Sequence, residues 1–363
     1  MQDIVQAVKE KFSSLVVTIK KNRGNMIKLL PLISFIIPVA ILYFIDPRSF
    51  EKTWLGRTYE LFFVWLCLLE LILNWEEVSA SRIGKLKSVR GIAFAISLLM
   101  PTVYVIAANF FGLNTLIYDL AMSFNVGELW ALLMPLSTEY LVFMGLFVVI
   151  ALLGQGTRGV RNYSISILFL GVIGGVYTIN NLFPWGRFTP FQAIVPTTTT
   201  LAANVLNLMG YQTSTFTGVS AEYGQLSYLY AQNSKGSAVF GIAWPCAGVE
   251  SLLIYTVTIL LFLSKSAIPR LQRAVYFVVG ALVTYFINIL RIVTIFIIAV
   301  NNGNIWTFHD YYAQLYSVTW IMSYPLIIIG TRSLWNKIRK KDIKHLKGLA
   351  SADSKNEITK GDT

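Results

Sequence analysis

One long apolar stretch determines what class of protein this is. Residues 273–300 read RAVYFVVGALVTYFINILRIVTIFIIAV, and the only charged residue after Arg273 in this stretch is Arg291. An α-helix needs about 20 apolar residues to cross a bilayer, so this stretch is long enough to span a membrane. An arginine at the centre of such a helix costs about 2.5–3.5 kcal/mol on insertion scales. The sequence therefore predicts a transmembrane helix whose Arg291 faces the interior of a helix bundle.

The overall composition is also that of a membrane protein. Of the 363 residues, 55% are hydrophobic and 13% are charged, and the mean hydropathy is +0.61. Soluble domains carry about 25% charged residues, so the composition excludes an ordinary soluble globule. Eight apolar segments are predicted to span the membrane, at roughly residues 27–45, 57–75, 91–111, 129–153, 162–183, 248–264, 273–300 and 312–331.

Most lysines and arginines fall on one side of these predicted spans. Of the 30, 24 lie in the segments 1–29, 76–90, 155–162, 264–273 and 332–363, and five lie in the opposite loops. Cytoplasmic loops of membrane proteins are enriched in Lys and Arg, so we predict a multi-pass protein of the cell membrane with both termini in the cytoplasm. This topology requires an even number of spans, and it accounts for the basic excess without a nucleic acid partner.

The region between the fifth and sixth spans is predicted to lie outside the cell. Residues 192–209 are fairly apolar, but they contain Pro196 and four consecutive threonines, and the helical part that follows is about 20 Å long, too short to cross. We therefore expect an interfacial or re-entrant helix at residues 197–209. The alternating run Gln225–Tyr230 and the turn Asn233–Gly236 predict a small β-hairpin.

The predicted fold is therefore an all-α polytopic membrane protein with about eight transmembrane helices, an outer interfacial helix and a small extracellular β-hairpin. Its predicted divisions are a cytoplasmic N-terminal segment (1–26), a five-helix transmembrane region (27–183), the extracellular interfacial helix and hairpin (184–245), a three-helix transmembrane region (246–332) and a basic cytoplasmic tail (333–363).

A cysteine lies where the predicted hairpin meets the sixth span. The segment reads WPCAGVES over residues 244–251, which places Cys246 at or just before a helix N-terminus. Unpaired backbone N–H groups and the helix dipole lower the pKa of a thiol at such a position, and the thiolate is the nucleophilic form. The alternative is that Cys246 is a small apolar core residue, the role that we assign to Cys67 in the second span.

Arg291 shares a helical face with Asn288, three residues earlier, so we expect Asn288 to orient it. An alternative is a structural arginine paired with a buried carboxylate such as Glu139 or Glu250. At the outer mouth of the last span, the segment TFHDYY, residues 307–312, contains His309 beside Asp310. Polarity at the membrane interface is the alternative explanation for this pair.

Cys246, Arg291 and His309 all lie toward the predicted outer side, on or beside three consecutive helices. Nucleophilic catalysis needs a thiol, a group that activates it and a group that stabilises an oxyanion, and these three residues supply such groups. The chain has only two histidines and two cysteines, and no metal ion or other cofactor is predicted.

Three boxes carry a family resemblance. They are Cys-Ala-Gly at 246–248, Asn-x-x-Arg at 288–291 and Phe-His-Asp at 308–310. In their order, their spacing and the eight-span arrangement, the sequence resembles the exosortase/archaeosortase family of membrane-embedded cysteine transpeptidases over roughly residues 160–332. Many exosortases have Cys-Ser-Gly followed by Leu-Arg, whereas this chain has Val249 and Glu250 after the box, which is typical of a divergent, archaeal-like branch.

The resemblance implies a catalytic three-helix region in which Cys246 is the nucleophile and His309 the general base and acid, with Asn288, Gly248 and Asp310 in support. It makes Arg291 the catalytic arginine, which stabilises either the thiolate or the tetrahedral oxyanion. It implies that precursor proteins with a C-terminal motif, a transmembrane helix and a basic tail are cleaved through a thioester. The product would pass to an acceptor such as a lipid amine, or to water, on the outer face. We expect a water-accessible pocket there, lined by the helix 197–209 and the hairpin.

Other classes of function remain open at this point. A polytopic transporter explains many spans and an intramembrane charge, although we find no internal repeat. A glycosyltransferase that uses lipid-linked sugars needs outer acidic residues, for which Asp46, Glu51, Asp119 and Glu128 are available. A purely structural scaffold leaves Arg291 without a reason. Three further carboxylates are expected to pair internally or to line the substrate cavity: Glu60, Glu70 and Glu139.

Overall fold

A computed structural model describes residues 28–76, 88–220 and 223–335 of the chain. The predicted N-terminal segment 1–26 lies outside the described residues, as does the predicted basic tail beyond Trp335. The eight principal helices are α1 (Lys28–Ile45), α3 (Thr58–Leu73), α4 (Val89–Phe110), α7 (Met134–Gln155), α9 (Ser164–Leu182), α12 (Val249–Lys265), α13 (Arg270–Val300) and α15 (residues 315–335).

These helices confirm the predicted architecture. Six apolar helical segments of the described chain are long enough to cross a membrane: Lys28–Ile45, Val89–Phe110, Glu128–Gln155, Ser164–Leu182, Arg270–Val300 and Ile305–Trp335. The other two predicted spans are also helices, but shorter, since α3 has 16 residues and α12 has 17. The protein is therefore a multi-pass membrane protein, and each of the eight predicted segments corresponds to a helix.

Short elements connect the principal helices. They are α2 (Pro47–Glu51), α5 (Leu113–Ser123), α6 (Glu128–Ala131), α8 (Thr157–Asn162), α10 (Thr189–Gln192), α11 (Val195–Leu208) and α14 (Ile305–Thr307), and a π-helical turn at Phe308–Tyr312. The loop before α3, the end of α9, the turn before α12 and the π-helical turn all meet at one end of the bundle, where the candidate site lies.

Helix α9 is at the centre of the bundle. It packs against α3, α7 and α12, and its side chains of Phe169, Leu170 and Ile173 are fully buried. Close approach to α7 depends on glycine, because a Cβ added at Gly174 would lie 2.8 Å from the side chain of Leu141. Small residues let transmembrane helices pack closely, and this packing replaces the hydrophobic driving force that is absent between helices in lipid.

A three-stranded antiparallel sheet follows α11 in the chain. Its strands are β1 (Gln212–Ser220), β2 (Gly224–Asn233) and β3 (Gly236–Ile242), in the order β1-β2-β3. The predicted hairpin is β2–β3, and its turn is closed by the Asn233 Oδ1, which accepts from the backbone N–H groups of Lys235 and Gly236 at 2.7 and 3.2 Å. The prediction missed β1, because most of that strand is polar and exposed on both faces and lacks apolar alternation.

The short helix predicted after Pro196 is confirmed as α11, which has 14 residues. Proline occupies its first turn, where a missing N–H costs nothing. Three of the threonine hydroxyls donate to carbonyls one turn earlier, including Thr198 to Ile194 and Thr199 to Val195. The helix packs against β1, β2 and α13; its position relative to the membrane remains a prediction.

Candidate active site

The turn between β3 and α12 presents Cys246. Its backbone N–H donates to the Ala243 carbonyl at 3.0 Å, and the N–H of Ala247 donates to the same oxygen at 3.2 Å. Gly248 then begins the approach to the helix with φ +89°, a conformation that favours glycine. Because α12 starts at Val249, the predicted placement of Cys246 just before a helix N-terminus is confirmed.

Arg291 reaches this turn from within α13. Its Nη2 donates to the backbone carbonyl of Cys246 at 2.9 Å and to that of Pro245 at 3.3 Å. The residue is only 6% exposed. Counting along the helix places Arg291 deeper than Cys246, and the extended side chain bridges this difference in depth. The guanidinium therefore holds the turn that carries the cysteine.

The two carboxylates considered as partners of Arg291 are engaged elsewhere. Glu139 accepts two hydrogen bonds from Arg57, at 2.6 and 3.2 Å. Glu250 accepts from the Tyr59 hydroxyl at 3.1 Å and from the Gln314 amide at 3.2 Å. Within the part of the chain that the structure describes, none of the salt bridges involves Arg291.

Asn288 forms hydrogen bonds within α13 and to α12 and α15. Its amide nitrogen donates to the Thr284 carbonyl at 2.9 Å, and its oxygen accepts from the hydroxyls of Ser251 and Ser317, each at 3.3 Å. None of these bonds goes to Arg291. Instead, a Cβ added at Gly248 would lie 2.7 Å from the Asn288 Cγ, so Asn288 packs directly against the turn that Arg291 also holds.

His309 lies in the π-helical turn at the start of the last span. Its Nδ1 is 2.8 Å from the Asp310 Oδ1, so a proton on Nδ1 leaves Nε2 free to exchange a proton with the thiol. The backbone of the π-helical turn is fixed by the loop before α3, because the N–H of Thr53 donates to the Asp310 carbonyl at 2.8 Å. The Trp54 ring packs edge-on against the imidazole, with 5.7 Å between centroids.

The surroundings of Cys246 favour its thiolate. Burial raises the pKa of the thiol, but hydrogen bonding to His309 and the positive charges of His309 and Arg291 lower it further than burial raises it. The net effect is a pKa below the ordinary value of a cysteine. By contrast, Cys67 is a buried core residue at 1% exposure, as predicted.

A cavity of about 320 Å³ opens beside the thiol. Cys246, His309 and Asp310 line it together, and so does Asn180. Most of the remaining wall is apolar and aromatic and comprises Trp54, Trp130, Trp185, Phe240, Gly241, Ile242, Ala243, Pro245, Ile292, Ile295, Phe296, Ile305 and Trp306. The cavity thus brings two of the three predicted catalytic side chains to one surface, while Arg291 lies behind the turn.

The predicted lining of this pocket is half right. Strand β3 of the hairpin contributes Phe240, Gly241 and Ile242, but no residue of α11 lines the cavity, because α11 packs on the sheet and on α13. The sequence analysis missed the four tryptophans and Asn180. They come from distant parts of the chain, and no local spacing connects them; the available signal for Asn180 was a polar pair, Asn180 and Asn181, at the end of an apolar span.

In the described parts of the chain, no metal site is found, and the acidic residues considered for sugar transfer lie away from the cavity beside Cys246. No group of three or more His, Cys, Asp and Glu side chains is placed to hold a metal ion. The carboxylates weighed for sugar transfer do not line the cavity beside Cys246: Asp46, Glu51, Asp119 and Glu128. Of the other internal carboxylates, Glu70 accepts from Lys265 at 2.7 Å and from the backbone of α9.

Comparison with family models places residues 61–324 in a known family. The match is to the transmembrane exosortase family, Exosortase_EpsH, and includes Cys246, Arg291 and His309. This chain belongs to the transmembrane exosortase family. A search of curated proteins finds no match, and neither does a search of solved structures. The family is one of membrane-embedded cysteine transpeptidases that process sorting signals.

Proposed function

We propose that this exosortase-family protein is a membrane-embedded cysteine transpeptidase that cleaves C-terminal sorting signals of secreted surface proteins and transfers the products to an acceptor. The observation that carries the proposal is the arrangement of Cys246. Its thiol pKa is lowered, it shares a cavity with His309, and Arg291 bonds to its backbone carbonyl at 2.9 Å.

In the first half-reaction, the Cys246 thiolate attacks the carbonyl carbon of the scissile peptide bond. A C–S bond forms, and the carbonyl π electrons move to the oxygen. When the tetrahedral intermediate collapses, the C–N bond breaks, and the His309 imidazolium gives its proton to the leaving amine. The hydrogen bond to Asp310 at 2.8 Å keeps the imidazole oriented for this transfer. The products are a thioester on Cys246 and the released tail.

In the second half-reaction, an acceptor amine attacks the thioester carbonyl. His309, now neutral, accepts the proton of the attacking amine, and the C–S bond breaks to restore the thiolate. Water in place of the amine gives hydrolysis by the same steps. The apolar walls of the cavity favour transfer, because they limit access of water to the thioester.

Arg291 acts on the resting nucleophile. Its guanidinium is charged at every physiological pH, so it stabilises the thiolate without changing protonation. Its bonds to the carbonyls of Pro245 and Cys246 also fix the turn. The excess of Lys and Arg in the predicted cytoplasmic segments supports an active site on the outer face of the membrane, where a secreted precursor would present its tail.

The proposal is tested by replacing each cysteine in turn. The protein is co-expressed with a precursor from the same proteome that has a C-terminal motif, a transmembrane helix and a basic tail, and loss of the tail is followed by electrophoretic mobility. Cys246→Ala should abolish processing because no other thiol faces the cavity. Cys67→Ala is the matched control, and it should process the precursor at close to the normal rate. Continued processing by Cys246→Ala at normal membrane levels would refute the proposal.

A further inference from the structure

Two of the backbone groups that could serve as oxyanion donors are already bonded within the cysteine turn. In acyl transfer, N–H groups positioned near the nucleophile bind the negative oxygen of the tetrahedral intermediate. Here the backbone N–H of Cys246 already donates to Ala243, and the N–H of Ala247 donates to Ala243 and Trp244 at 3.2 Å each. Ala247 does not line the cavity. The backbone of the nucleophile turn therefore leaves the intermediate without donors from these two residues.

Arg291 is also poorly placed to bind this oxygen. Its Nη2 donates to the two carbonyls of the turn, at 2.9 and 3.3 Å. The residue is not among those that line the cavity into which the thiol opens. Its Nε is buried without a hydrogen-bond partner, but it does not open into the cavity. A donor to the oxygen of the substrate carbonyl is therefore expected among the residues that line the cavity.

Asn180 lines the same cavity as Cys246 and His309. It belongs to the last turn of α9 and continues the buried face formed by Ile173 and Tyr177, with four- and three-residue spacing. The residue is 3% exposed, and its amide nitrogen has no hydrogen-bond partner within the described residues. Among the described residues that line the cavity, it is the only one that combines a polar side chain with an exposure below one tenth.

An unpartnered amide in this position is costly. A buried donor without an acceptor lowers stability by about 1–3 kcal/mol, and a leucine would fill the same space on an apolar helix at no such cost. The nitrogen itself is enclosed in the free protein, so a rotation of the Asn180 side chain brings it to the cavity, where a peptide carbonyl would supply the missing acceptor and offset that cost. Since the negative charge on the oxygen grows during attack, the bond would be stronger in the transition state than in the bound substrate.

We propose that Asn180 is a catalytic residue that donates a hydrogen bond to the carbonyl oxygen of the scissile peptide and to the oxyanion formed from it. The inference rests on the proposed function, because it assumes that Cys246 attacks a peptide carbonyl. It assigns separate roles to two polar groups: Arg291 stabilises the thiolate, and Asn180 stabilises the oxygen of the substrate.

Two electrophiles separate these roles. The dipeptide aldehyde acetyl-leucyl-leucinal, chosen for the apolar walls, adds reversibly to a thiol: a C–S bond forms, the carbonyl π bond breaks, and the oxygen becomes an oxyanion or takes the thiol proton. Iodoacetamide instead alkylates the sulfur by displacement of iodide, and this reaction forms no tetrahedral adduct and no oxyanion. Only the aldehyde therefore reports on an oxyanion donor, while both reagents report on the thiolate.

The variants are Asn180→Leu and Asn180→Asp, measured on the full-length protein in detergent micelles. Loss of one oxyanion donor costs about 10²–10³ in catalysis, so we expect aldehyde affinity to fall by about 10²-fold in both variants. The rate of alkylation by iodoacetamide should stay within about twofold of the parent for Asn180→Leu. Asn180→Asp keeps the size of the side chain and guards against a folding defect in the leucine variant.

Asn181→Leu provides the matched control. Asn181 is the next residue of α9, is 1% exposed and has an unpartnered amide oxygen, but it lines a neighbouring cavity instead of the one beside Cys246. The Asn181→Leu variant should therefore bind the aldehyde with the affinity of the parent protein.

Two results would overturn the inference in distinguishable ways. If Asn180→Leu alkylates normally and binds the aldehyde as tightly as the parent, the role of Asn180 is wrong and the proposed function stands. If the parent protein forms no aldehyde adduct on Cys246, the proposed function itself fails, and the inference fails with it.

Discussion

Two buried arginines of this protein have opposite surroundings. Arg57, at the start of α3, donates twice to Glu139, at 2.6 and 3.2 Å. Two further carboxylates lie 3.9 Å from its guanidinium, those of Asp46 and Glu60. Within the described residues, the hydrogen bonds of Arg291 go to the carbonyls of Pro245 and Cys246, and none of the salt bridges includes it.

The difference separates a structural charge from a functional one. The charge of Arg57 is compensated by ionisable partners, so it can hold α2, α3 and α7 together but exerts little field beyond them. The charge of Arg291 is oriented by neutral dipoles and is left to act on the nearby thiol. A buried cation without an ion-pair partner is costly for stability, and such costs are typical of active sites.

The largest expected effect is on stability, at the paired arginine. Arg57→Met leaves the carboxylate of Glu139 buried without its partner, which should cost about 3–5 kcal/mol of the free energy of unfolding. Arg291→Met breaks hydrogen bonds to two carbonyls and no ion pair, so it should cost about 1–3 kcal/mol. Unfolding of both variants in mixed micelles, followed by tryptophan fluorescence, measures the two losses.

A double variant, Arg57→Met with Glu139→Gln, supplies the control, because it removes the orphaned charge together with its partner. It should recover part of the loss seen in Arg57→Met. The comparison between the two arginines breaks down if Arg291→Met proves the more destabilising single change, or if the double variant is no more stable than Arg57→Met.

A smaller effect is expected on thiol reactivity, at the unpaired arginine. His309 and Arg291 both lower the pKa of Cys246, so their removal should raise it. The thiolate is the reactive form; the alkylation rate should therefore fall at pH values below the pKa of the variant and converge with the parent at high pH. Each unit of upward shift means about tenfold less thiolate at lower pH. Rates of iodoacetamide labelling measured against pH give the profile.

His309→Asn should shift this profile more than Arg291→Met, because His309 acts through a hydrogen bond as well as through charge. Arg48→Gln is the matched control, since Arg48 is an exposed cation that lines a different cavity. A profile for Arg291→Met that superimposes on the parent would show that the arginine serves the fold alone.

The sequence was sufficient for the parts of the fold that follow from local pattern. Apolar runs located all eight helices, and a proline with a threonine run marked the short α11. The turn at Asn233 predicted the β2–β3 hairpin, because its side chain closes the turn. Strand β1 was missed, since its pairing with β2 depends on backbone bonds between polar residues.

The candidate site was only partly accessible from sequence. The sequence identified the three boxes that contain Cys246, Arg291 and His309. All three lie within residues 61–324, which match the family model. The wall of the cavity was not predicted, because Trp54, Trp130 and Trp185 come from three separate connecting segments, and the packing of the helices brings these segments together. The contacts of Asn288 with Gly248, Ser251 and Ser317 were not predicted either, since they depend on how α13 packs against α12 and α15.

The most direct test of the account is the detection of an acyl group on Cys246. The protein is mixed with its precursor and no acceptor, the reaction is stopped in acid within one turnover, and the fragment containing Cys246 is analysed by mass spectrometry. The account predicts that the fragment carries the cleaved precursor through a thioester that hydroxylamine removes. Cleavage of the precursor with the acyl group on another residue, or with none on Cys246, would contradict it.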